Sequence, residues 1–158
     1  MKRIMILIAV AMLTAMCGTV NKGNSTAPEK RPDVQYRDDF KSAGEAEKNK
    51  LLKDLKAEGS NYSVLIFTQN YKGQKIKVSN TNKRLFNEYV VSNLKTGIAG
   101  KLRIDNRYDT TLYDNYDKTS TVIEAKEAQK HKYIYVMKNP GNKNPFTITY
   151  SNTLRPLE

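Results

Sequence analysis

The chain has no tryptophan, one cysteine and one histidine, and each scarcity removes a class of chemistry. A solitary cysteine, Cys17, cannot close an internal disulfide, so a disulfide-stapled scaffold is excluded. A solitary imidazole, His131, has no second ring with which to share a metal. Lys130 and Lys132 flank it and disfavour its protonated form, so a solvent-facing side chain is expected. There is no Gly-x-Ser-x-Gly elbow and no glycine-rich phosphate loop. The expectation is a protein that is not an enzyme and carries no cofactor. Acid is also scarce: 16 acidic residues face 27 basic ones, for a net charge of +11. Such a balance speaks to partners and solubility rather than to fold.

Long apolar runs are missing too, with one exception. Met1-Lys2-Arg3 leads into the uncharged stretch 4–16, which Cys17-Gly18 closes. A basic head, an apolar middle and a small-residue approach to a cleavage point make an export signal. The run falls short of the roughly 20 apolar residues that a membrane-spanning helix needs. Leu13-Thr14-Ala15-Met16-Cys17 resembles the bacterial lipoprotein signal, with Met16 standing where a smaller residue is usual. That resemblance implies removal of residues 1–16 and acylation of Cys17, palmitate being the type of chain attached. Each buried methylene contributes about 0.8 kcal/mol, so several acyl chains form a firm membrane anchor. Gly18 follows the cysteine with no acidic cluster behind it, which implies an outer-membrane lipoprotein facing the periplasm. An exported protein rarely meets nucleic acid, and the basic residues are scattered rather than gathered on one periodic face. Anionic lipid headgroups, anionic glycans or an acidic protein are the better partners.

Residues 17–40 combine the acylated cysteine with small polar residues and prolines, and read as a flexible tether. From Gly18 to Asp39 the typical span is roughly 25 Å for a random coil, and about 75 Å fully stretched. Residues 41–59 read as a short amphipathic helix. Ser42-Ala43-Gly44-Glu45 matches a capping box, Leu51, Leu52 and Leu55 form one apolar stripe, and Gly59 is placed to stop it.

Residues 60–158 change to short β-rich runs separated by turn residues. Strands are expected at 63–68, 75–79, 88–92, 101–105, 110–114, 120–124, 132–137 and 146–150, with a tight turn at 71–74. Residues 125–131 suit a one-turn crossover, and the Pro140–Pro145 segment suits a hairpin loop. The fold class is therefore mainly β, a single antiparallel β-sandwich of about eight short strands behind one short helix.

The acidic residues supply the first candidate site. Asp105, Asp109, Asp114 and Asp117 recur in two Asp/Asn-rich segments, and loops at a sandwich end that gather aspartates can hold Ca²⁺. Arg107 and Lys118 lie close enough in sequence to neutralise them, and Asx residues are ordinary turn formers. Asp109-Thr110-Thr111 also resembles the acceptor triplet of bacterial O-glycosylation. Ten tyrosines supply the second candidate. Tyr108, Tyr113 and Tyr116 are expected to form a binding loop, since tyrosine offers a rigid face and a polar tip. Tyr133 and Tyr135 share the opposite strand face from Ile134 and Val136 and are expected to be structural.

A lipidated-looking cysteine, a tether and one small sandwich form a plan similar to the small lipoprotein of the type VI secretion membrane complex. That resemblance is one of architecture and implies a sandwich that binds an envelope protein partner. The expected function is docking of such a partner or support of an envelope assembly. The other reading is a binding module for an anionic or glycan ligand.

Overall fold

The computed structural model describes residues 31–157. The expected export signal, Cys17 and the first part of the expected tether lie outside the described residues. The chain runs β1 (Asp33–Tyr36), α1 (Glu45–Asp54), β2 (Tyr62–Phe67), β3 (Lys72–Ser79), β4 (Arg84–Val91), β5 (Gly100–Asp105), β6 (Thr110–Asp114), β7 (Thr119–Ile123), α2 (Ala125–Ala128), β8 (Tyr133–Lys138) and β9 (Phe146–Ser151). The fold is mainly β. A five-stranded sheet in the order β1-β9-β8-β2-β5 and a four-stranded sheet in the order β4-β3-β6-β7 make a sandwich-like pair.

Alternation builds the interior. Leu65 and Phe67 of β2, Ile76 and Val78 of β3, Leu112 of β6, Ile134 and Val136 of β8, and Ile148 of β9 meet between the sheets. The opposite face of the five-stranded sheet has its own core. There Val64, Ile66, Tyr133 and Tyr135 pack beneath Leu51 of α1 and Leu154 of the C-terminal tail. Strand β2 is thus covered on both sides, which is why its sequence is continuously apolar rather than alternating. Tyr133 and Tyr135 are structural, as their strand position implies.

Two features depart from an all-antiparallel sandwich of about eight strands. First, β2 pairs with β8 in parallel, Val64 opposite Tyr133 and Phe67 opposite Val136. The chain leaves β2, traverses the second sheet and returns in the same direction, and only so long a crossover permits parallel pairing. Second, residues 33–36, expected in the tether, form a ninth strand parallel to β9, Val34 opposite Ile148 and Tyr36 opposite Tyr150. Asp38 then clasps the end of β9. Its Oδ1 accepts from the Asn152 amide at 2.6 Å, the Ser151 hydroxyl at 2.8 Å and the Thr153 amide at 3.1 Å. These bonds, the Asn152 amide first, hold the Asp38 carboxyl below its ordinary range. A lowered carboxylate pKa contributes stability above the unfolded value of about 3.9, and that stability is lost as pH falls through the folded value. Asp38→Asn keeps an acceptor but no charge. It is expected to flatten the acid-side fall in melting temperature below about pH 4, measured by a pH series of thermal melts.

Helix α1 does not start with the expected capping box. Its N-cap is Gly44, without a side-chain cap, and Glu45 instead pairs with Lys48. Ala43 is responsible: its amide donates to the Leu154 carbonyl at 2.7 Å and its side chain is buried, which fixes the entry. Nor does Gly59 stop the helix. Lys56 takes the left-handed conformation at φ 51°. Its amide bonds the Lys53 carbonyl at 3.0 Å, and that of Ala57 bonds the Leu52 carbonyl at 2.7 Å, a Schellman motif. Lysine pays a steric penalty there that glycine does not. Lys56→Gly is therefore expected to raise stability by about 1 kcal/mol, read as a higher urea midpoint with an unchanged slope.

The tight turn expected at 71–74 is the start of β3, where the register slips around Gly73 at φ 95°. Helix α2 is the expected one-turn crossover. His131, expected to face solvent, is half-buried. Its ring lies 5.5 Å from that of Tyr36 and 5.2 Å from that of Tyr150, and Nδ1 is 2.9 Å from the Glu127 carbonyl oxygen. Strand β1 brings Tyr36 over it, and that strand was not legible in the sequence.

Candidate functional site

The two outer faces of the sandwich differ. Helix α1 and the C-terminal tail cover the five-stranded sheet, whereas both described core clusters leave the outer face of the four-stranded sheet bare. Ile76 and Val78 point inward, so Lys75 and Lys77 point out by the two-residue period. Lys75 lies opposite Tyr89 of β4, its ammonium 5.4 Å from the ring centre. Lys77 lies opposite Tyr113 of β6, at 5.6 Å. Across β4, Lys75 and Lys77 lie opposite Tyr89 and Asn87, whereas Glu88, the one carboxylate of these two strands, lies opposite the inward-facing Ile76. Tyr89 is 72% exposed, Val91 two residues along β4 is 64% exposed, and Leu94 in the β4–β5 connection is fully exposed. The result is a flat, basic, tyrosine-bearing face with an apolar margin.

The candidate tyrosine loop is divided by this geometry. Tyr108 sits in the β5–β6 turn against the Arg107 guanidinium, and Tyr116 in the β6–β7 turn at the other end of β6. Tyr113 stands between them on the outer face. Five strand residues separate the two turns, about 17 Å. The three rings do not form one loop.

The four aspartates are divided in the same way, and the calcium reading meets a different arrangement. Asp105 is bound by Arg107, with contacts of 2.9 and 2.6 Å, and the guanidinium hydrogen bonds hold its carboxyl below the usual range. Asp109 accepts the Ala125 amide at 2.7 Å at the start of α2. At the far end, Lys138 sits between Asp114 at 2.5 Å and Asp117 at 2.7 Å. The cation between those two carboxylates is an ammonium. Among the described residues no group of three or more His, Cys, Asp or Glu side chains is placed to hold a metal ion. The O-glycosylation-like triplet fares no better as an accessible site: Thr110 is wholly buried on the inner face of β6.

No family model and no curated protein matches this chain. The site must therefore be read from its own chemistry. Lys138 and Asp114 are both essentially inaccessible, and Asp114 Oδ1 also accepts the Tyr116 amide at 2.8 Å. The triad ties the β6–β7 turn to the end of β8 and fixes where Tyr116 stands. Below it lies Tyr71, 2% exposed, whose hydroxyl donates to the Val136 carbonyl at 3.3 Å. Burial, aided by the Asp114 charge, pushes the Tyr71 phenol well above its ordinary value, so it stays protonated. Sequence reasoning found Asp114, Asp117 and Tyr116 but missed Lys138, Lys75, Lys77 and Tyr89. The clean alternation of β3 was the available signal for the outward lysines.

A hollow of about 800 Å³ opens between the β1–β9 edge of the five-stranded sheet and β7 of the four-stranded one. Val34, Tyr36 and Ile148 line one side, Val122 and Glu124 the other. No described helix is long and apolar enough to cross a membrane.

Proposed function

We propose that this chain is a non-catalytic cell-envelope lipoprotein, anchored through an acylated Cys17, whose sandwich docks an acidic protein partner on the outer face of its four-stranded sheet. The observation that carries the reading is the asymmetry between the two sheets. One outer face is sealed by α1 and the tail; the other is open and pairs lysines with tyrosines in register. Tyrosine supplies contact area at low entropic cost, and the lysines steer an oppositely charged surface. Val91 and Leu94 add an apolar margin that a protein surface can cover and a polysaccharide cannot. The tether preceding β1 would hold the domain near its membrane while leaving this face free.

The test uses the full chain extracted in mild detergent from its own envelope. One defined protein should co-purify in stoichiometric amount, and be lost in Lys75→Glu/Lys77→Glu and at high salt, where the Debye length shrinks to about 3 Å. In parallel, Cys17→Ala should move the protein from the membrane fraction to the soluble one. Retention of the same partner by the charge-reversed variant overturns the docking face. Unchanged membrane association of Cys17→Ala overturns the lipid anchor.

A further inference from the structure

We propose that the end of the sandwich around Tyr116 binds a neutral saccharide, with the Tyr116 ring as its stacking platform. Tyr116 is 77% exposed, yet its backbone is held tightly. Asp114 Oδ1 accepts its amide, Lys118 turns the chain in the left-handed region at φ 53°, and the buried Lys138 pins Asp114 from behind. An exposed aromatic ring on a fixed turn loses little freedom when something stacks on it.

The ring stands between two hollows. One, about 360 Å³, is bounded by Asp117, Thr119 and Lys138 on one side and by Asn139 and Asn142 of the β8–β9 loop on the other. The second, about 350 Å³, lies against Lys72, Gly73 and Gln74 at the β3 bulge. Both are of the size that holds a small ligand, about 300–1,000 Å³. Thr119, on the wall of the first hollow, is 5% exposed, and its hydroxyl has no hydrogen-bond partner among the described residues. A buried hydroxyl without a partner costs free energy, and a ligand oxygen would relieve it.

Charge and polarity select the ligand class. In the first hollow Asp117, with Asp114 behind it, faces Lys138, and Lys72 at the rim balances the remaining carboxylate charge, so an ionic ligand gains no net attraction there. A wholly apolar ligand would bury Asp117 and Thr119 against groups that cannot bond them. A pyranose matches both demands. Its C–H face stacks on tyrosine, and its hydroxyls both donate and accept around the rim. Two hollows flanking one ring suit adjacent units of an oligosaccharide. The site uses the loop end rather than the Lys75–Lys77 face, so it goes beyond the docking reading and can fail independently of it.

The probes are maltotriose, cellotriose and chitotriose, titrated calorimetrically into the full-length detergent-solubilised chain. At least one is expected to bind with a Kd of about 1 mM. Tyr116→Ala should weaken that binding about fivefold or more, while Tyr116→Phe retains it, because the ring face carries the contact. Lys75→Glu/Lys77→Glu should leave it unchanged. The proposal is overturned if none of the three binds at about 10 mM, or if Tyr116→Ala binds as tightly as the parent.

Discussion

Lys138→Met is expected to lower the unfolding free energy by about 3–5 kcal/mol. The lysine is 2% and Asp114 0% exposed by side chain, so methionine would leave a carboxylate with neither water nor a countercharge. Methionine preserves the length and apolar volume of the stem, which isolates the charge from packing. A surface pair would give a different answer: Lys48–Glu45 and Arg107–Asp105 are open to solvent on at least one partner and each should matter by less than about 1 kcal/mol. The double variant Lys138→Met/Asp114→Asn is expected to recover much of the loss, because the orphaned charge is gone while the Asn115–Lys118 turn keeps an acceptor at position 114. Urea unfolding of the parent and the two variants decides it. A loss below about 1 kcal/mol for Lys138→Met would mean that water reaches the pair in solution.

Phe67→Ala should have a comparable effect through a different cause, about 3–5 kcal/mol from lost transfer energy and the cavity left behind. Phe67 is wholly buried between the sheets, its ring 5.5 Å from that of Tyr71 and 5.4 Å from that of Phe86. Its cross-strand partner is Gly100, where a Cβ would stand 3.4 Å from the Phe67 ring. Glycine at position 100 offers no side chain of its own to fill the void, so any repacking has to come from Tyr71, Phe86 or Val90. Thermal and urea unfolding should both report the loss; a value under about 2 kcal/mol would show that the sheets close over the gap.

Where side chains alternate against a core, the fold could be read directly. Strand β6 occupies the expected 110–114, and the inward set of β3 is Ile76 and Val78. Strand β1 could not be read. Asp33-Val34-Gln35-Tyr36 lies on an edge with all four residues exposed, so it carries no burial pattern, and the prolines before it resemble those of a linker. The parallel pairings were hidden for a related reason. Alternation tells which way a side chain points but not which distant strand lies beside it. The candidate site was legible in parts and wrong in assembly. Tyr116, Asp114 and Asp117 do meet, but Tyr108, Asp105 and Asp109 lie at the opposite end of β6. Sequence proximity across a five-residue strand becomes separation in space. Lys138 follows an apolar run directly in sequence, and nothing local reveals that its ammonium turns back into the interior.

The pairing of β1 with β9 also dictates when the domain can form. The first described strand lies beside the last, and Asp38 bonds residues more than a hundred positions away, at separations of 113 to 115. Contacts of such sequence separation slow folding, placing β-rich domains in the millisecond-to-second range. Because the chain emerges N-terminus first, β1 appears early and waits for its partner to follow. Until Ser151 has appeared, β8 has an unpaired edge and β1 has nothing to pair with. The closing step of folding is therefore the joining of the two ends of the domain, and a chain shortened by its last strand would lose both at once.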